Sequence, residues 1–149
     1  MELKNQLYNQ CQDILNQRLK VIQKTIANVQ NALQSETKST AGDKHETGRA
    51  MLQLEREKAG QQLAELQKQI ELLQRINPKT TNDVVALGSV VKTTNGNYFI
   101  AISAGEIKFK DESFYAISLA TPIGKLLISK KVNDTISFRG QTFKIEQVL

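Results

Sequence analysis

A chain of 149 residues with 20 Lys/Arg against 15 Asp/Glu, a formal charge of +5, has room for one ordinary domain or two small ones. Its single cysteine, Cys11, excludes an internal disulfide framework and favours a reducing compartment. No N-terminal apolar segment resembles a signal peptide and no apolar run is long enough to span a bilayer, so a cytoplasmic protein without a membrane partner is expected; the mild charge favours nucleic acid, DNA included, only weakly.

The first part of the chain reads as helix. Leu3, Leu7, Cys11, Ile14, Leu19, Ile22, Ile26, Val29 and Leu33 recur every three or four residues, with Gln, Asn and Lys on the other faces. A stripe this narrow needs one partner helix along its length and not a globular core. Leu52, Ala59, Leu63, Leu66, Ile70, Leu73 and Ile76 repeat the pattern. Each arm has about 32 residues, roughly 48 Å of helix. Between them the polar stretch Ser35–Gly48 reads SETKSTAGDKHETG and is expected to form the tip of an antiparallel hairpin. Ser35 is expected to cap or end the first arm. Asp43 is expected to be the N-cap of the second, with Glu46 in a capping-box-like position. Gly60, inside the second arm, would allow a tight helix crossing. A dimerising coiled coil would present the same stripes; the matched lengths and the turn-forming connector favour pairing within the chain.

Composition changes at Asn77-Pro78, where Gln, Leu and Lys give way to Val, Ile, Phe, Thr and Gly. The expected domains are therefore a helical hairpin over 1–76 and a β-rich unit over 77–149. The first holds 11 Lys/Arg against 9 Asp/Glu and the second 9 against 6, so neither is a nucleic-acid module by charge alone. In the second, Val84–Leu87 and Val90–Thr93 read as one strand bulged at Gly88. Asn95-Gly96 is the strongest hairpin signal, with Tyr98–Ile102 as the return strand. Ser113–Leu119 is a strand with Phe114 and Ala116 on one face. Thr121 before Pro122 fits an N-cap followed by proline in the first turn of a short helix carrying Ile123, Leu126 and Leu127. Thr135–Phe138 and Thr142–Val148 are the last strands. The expected fold is α+β: a helical hairpin, then a small antiparallel sheet with one short helix. About 70 residues just sustain such a core.

This order of parts resembles the Gre family of bacterial transcription elongation factors over nearly the whole chain. Thr121-Pro122-Ile123-Gly124-Lys125-Leu126-Leu127-Ile128-Ser129-Lys130 is similar to the family stretch of serine, proline, an aliphatic, a small, a basic and a small residue, leucine, a hydrophobic, glycine and lysine. Thr121 stands for the serine and Ser129 for the glycine. Gly42-Asp43-Lys44-His45-Glu46-Thr47-Gly48-Arg49-Ala50 keeps the glycine, aspartate and glutamate of the family's hairpin tip at the same spacing. It departs at Lys44, Thr47, Arg49 and Ala50, which replace leucine, asparagine, glutamate and tyrosine.

The resemblance implies an FKBP-like sheet domain that docks on RNA polymerase through Pro122, Ile123, Gly124 and Lys125. It implies a hairpin inserted into the polymerase's secondary channel. Asp43 and Glu46 would then complete the catalytic site in trans and hold a second Mg²⁺ shared with the polymerase, promoting cleavage of backtracked transcript. Lys38, Lys44, Arg49 and Arg56 would contact nascent RNA or the channel. No intrinsic cofactor is expected. No nucleophile–base–orienter set or phosphate-binding glycine loop is visible, so the chain is not expected to be an enzyme by itself. The basic departures at the tip equally suit an inhibitory member of such a family without cleavage activity. A coiled-coil adaptor or structural protein is the reading of a different class. A prolyl-isomerase-like activity of the sheet domain would need more aromatic residues to line its pocket. On the residues alone, Asp43 and Glu46 also suit plain helix capping, Glu36 a solvated acid, Cys11 core packing, and His45, with no second ligand nearby, an exposed position.

Overall fold

The computed structural model describes residues 2–38 and 42–149 and, within the helices, no side chain at 37, 38 or 42–46. The chain is α+β, two long helices followed by a six-stranded mixed sheet with one short helix. It divides into two compact units, Met1–Ile14 with Ile70–Leu149, and Leu15–Gln69.

Helix α1 runs Glu2–Lys38 and α2 runs Gly42–Gln74. Both are longer than the apolar stripes, because polar residues of ordinary helix propensity extend them. Most of the expected Ser35–Gly48 tip is therefore helix. Ser35 does not end α1, and α2 begins one residue before Asp43, so Asp43 stands inside its first turn. Only residues 39–41 lie between the two helices, outside the described residues.

In the unit Leu15–Gln69 the helices are antiparallel. Arg18 Nη1 donates to Gln69 Oε1 at 3.4 Å, and near the other end Glu36 lies 3.3 Å from where a Cβ at Gly48 would sit. Rising numbers on α1 meet falling numbers on α2. Leu15, Val29, Ala59 and Leu66 are buried along the seam, while Leu19, Ile22, Ile26, Leu33, Leu52 and Leu63 are half-buried. Nothing lies within 4 Å of a Cβ placed at Gly60, so this glycine marks no tight crossing.

The other unit is built on six strands: β1 Val90–Thr93, β2 Gly96–Ile100, β3 Gly105–Phe109, β4 Glu112–Ile117, β5 Thr135–Phe138 and β6 Gln141–Val148. Their order is β3-β4-β2-β1-β6-β5. The expected all-antiparallel sheet is corrected at one pairing, since β2 and β4 run parallel. The cause is β3, which the sequence reading lacked. The chain reverses from β2 to β3 and again from β3 to β4, and β4 comes back beside β2 in the same direction.

The expected continuous strand from Val84 to Thr93 is also corrected. Gly88 adopts φ +90° and turns the chain. The expected bulge is there: the Gly88 N–H donates to the Ile100 carbonyl at 2.6 Å and the Ser89 carbonyl accepts from the Ile100 N–H at 2.9 Å, two residues against one. Val85 then pairs with the chain at Ser129 and Lys130, while β1 pairs with β2 and β6. Alternation puts Val90, Phe99, Ile107, Phe114 and Ala116, all buried, on one face of the sheet. On the other, Val91, Ile100, Ile136, Phe143 and Ile145 form a core with Val85 and Leu127. Leu7, Cys11, Leu73 and Ile76 are buried in this unit. Two polar residues of α1 are tied into it. Gln10 donates to the carbonyl of Lys108 at 2.5 Å and accepts from its N–H at 3.2 Å. Lys4, 1% exposed, donates to the Thr80 carbonyl at 2.7 Å.

Candidate functional site

The short helix α3, Pro122–Leu127, starts as its sequence requires. The Thr121 hydroxyl accepts from the Gly124 N–H at 3.2 Å and donates to the Ser118 carbonyl at 2.7 Å, with Pro122 in the first turn. Gly124 is buried, and a Cβ there would fall 2.2 Å from the Ser118 carbonyl oxygen. Its residue type is fixed by close backbone approach. Ile123 packs on the core. Of the four expected docking residues, Pro122 and Lys125 are exposed, and Leu126 joins them at 38% exposure. After the helix, Ser129 holds φ +67° and Asn133 φ +78°. Both values lie in the left-handed region that favours glycine or asparagine.

The end of the hairpin that carries the expected catalytic pair is described only in part. The side chains of Lys38, Asp43, Lys44, His45 and Glu46 lie outside the described residues; their backbones fall within α1 and α2. Beyond them, Arg49, Gln53 and Arg56 of α2 and Gln30, Leu33 and Gln34 of α1 line a groove of about 480 Å³. Arg49 and Arg56 are seven residues apart, two helical turns, so they share one face. Glu36 and Gly48 escaped the sequence reading as a pair. The glycine leaves space for the half-buried Glu36 carboxylate against α2. Gly48 ends the polar stretch read as the tip, so no helical pattern around it points to this approach.

A scan against protein-family models gives no match for this chain, and a search of curated proteins gives none. Among the described residues no group of three His, Cys, Asp or Glu is placed to hold a metal ion. No described helix is long and apolar enough to cross a membrane.

Burial shifts two titrating groups. Desolvation lowers the Lys4 ammonium below its ordinary value of 10.5. Tyr98 is raised, first by burial and then by the nearby Tyr115 hydroxyl. The two rings lie 6.4 Å apart, centroid to centroid.

Proposed function

We propose that this protein is a Gre-like factor that binds RNA polymerase, inserts its hairpin tip into the secondary channel and modulates elongation by promoting cleavage of backtracked transcript. The observation that carries this reading is Ser129. It occupies the glycine position of the family stretch and adopts the left-handed backbone that explains a glycine there. The Thr121 cap, Pro122 in the first turn and the sterically required Gly124 give three more positions of that stretch a physical reason. The antiparallel helices supply a stiff probe: α2 alone has 33 residues, about 50 Å. The sheet with its one short helix is read as the FKBP-like foot of such factors, and Pro122, Lys125 and Leu126 form its docking surface.

Asp43 and Glu46 stand three residues apart near the start of α2. An aspartate and a glutamate are an oxygen-only donor set, which suits Mg²⁺ held jointly with polymerase groups and phosphate. The metal would activate a water and stabilise the leaving oxygen; the chain contributes the two carboxylates and their position. Arg49 and Arg56 would hold phosphate of the extruded RNA. The same arginine groove favours a second reading, an inhibitory factor that occupies the channel without cleavage. Retention on immobilised core polymerase, followed by a cleavage assay on backtracked complexes, tests both. Cleavage stimulated by the wild type and lost in Asp43→Ala/Glu46→Ala, with binding kept, is the expected result. Slowed elongation without cleavage selects the inhibitor, and no retention on polymerase removes both readings.

A further inference from the structure

The two sides of the hairpin unit differ. Buried or half-buried seam residues recur every seven, at Leu15, Ile22 and Val29 on α1 and at Leu52, Ala59 and Leu66 on α2. Val21 and Met51 each stand one residue before a seam position. In an antiparallel pair those positions flank the same side. Leu54, one turn beyond Met51, joins them. All three are exposed, at 65%, 61% and 65%, whereas the arginine groove opens on the opposite flank. On the Val21 side lies a groove of about 540 Å³ with Val21, Ile22 and Leu66 in its walls. Arg18 and Lys20 stand on its α1 rim and Glu65 on its α2 rim.

We infer that this groove is a self-association surface and that its occupant is a second copy of the same chain. The rim charges argue for this occupant. A partner of one sign would satisfy one rim and repel the other. A copy related by a two-fold axis along the hairpin lays α1 against the other copy's α2, and both bases then face the acid in both halves of the contact. From Ile14 to Ser35, α1 carries Arg18, Lys20 and Lys24 and no acid, so two copies of α1 laid against each other would repel. Glu65 is available for such a pairing. Its salt bridge to Lys68 is 3.8 Å long and highly exposed, a geometry of little energetic consequence. Val21 is the apolar anchor, since burying it removes side-chain surface that the single chain leaves in water.

Sedimentation equilibrium of the full chain, without polymerase, reads this independently of any role in transcription. A dimer mass reached as concentration rises is expected. Val21→Glu returns the mass to that of a monomer while far-ultraviolet circular dichroism keeps its helical signal. Lys20→Glu raises the dissociation constant at least about tenfold, and adding Glu65→Lys restores it. A wild-type monomer at every concentration overturns the inference. So does a Val21→Glu protein that still dimerises, or a double charge swap no tighter than Lys20→Glu alone.

Discussion

At single residues the backbone demands more than the side chains advertise. Ser129 holds φ +67° without being glycine, which costs an L-residue about 1 kcal/mol. Ser129→Gly is therefore expected to raise stability by about 1 kcal/mol in urea unfolding, less whatever glycine gains in unfolded-chain entropy. Gly124 is the opposite case. The atom a methyl would strike is a backbone oxygen, which cannot swing aside as a side chain can. Gly124→Ala is expected to cost about 2 kcal/mol or more, read as a lower midpoint at unchanged slope. Lys4 is a buried charge whose ammonium donates to the Thr80 carbonyl. Its folded value lies below 10.5, so between the two values the unfolded chain holds a proton the folded one has released. Wild-type stability should rise with pH through that window and lose this contribution as pH falls through the folded value. Lys4→Met has no such group. It is expected to be more stable than wild type at pH 7, with the gap closing toward pH 10.5; chemical unfolding at several pH values measures it. Lys4 shares the buried face of α1 with Leu7, Cys11 and Leu15; a charged residue type hid that burial from the apolar pattern, and the approach of the chain at Thr80 gives the ammonium its acceptor.

At the level of elements, local chemistry made some boundaries legible and long-range pairing hid others. The expected Thr135–Phe138 strand is β5 at both ends, bounded by positive φ at Asn133 and at Arg139 and Gly140. The helix after Thr121 announced its cap. The Asn95-Gly96 signal marked a real hairpin, although the register Thr93↔Gly96 puts the two-residue loop on Thr94-Asn95. Strand β3 was missed because five residues with two charges, GEIKF, read as loop until β4 supplies a partner. The parallel β2–β4 pair was beyond any local pattern, since it follows from β3's existence. Gly60 tests the helix arithmetic directly. It is exposed, sits inside α2 and has open space where a Cβ would go. Gly60→Ala is expected to stabilise the protein by about 1 kcal/mol, seen as a higher thermal midpoint; an unchanged or lower midpoint would show that the glycine's freedom is used.

For the whole molecule, the sequence disclosed the architecture and left the candidate site half-drawn. Apolar spacing sufficed for two paired helices followed by a sheet, because burying a stripe requires a partner of matching length. It could not separate a carboxylate that caps a helix from one that serves a metal, since Asp43 and Glu46 suit both roles at the same spacing. Nor could it show that Glu36 lies against Gly48, a contact that exists only once the arms have folded back. One tie described above bears on anyone who trims this protein. The amide of Gln10 meets both main-chain groups of Lys108 on β3, the outermost strand of the sheet on that side, and so imitates a neighbouring strand. A chain shortened past that glutamine would leave a bare ribbon edge, and bare edges recruit one another. Such a product should precipitate or form sheet-rich aggregates on concentration.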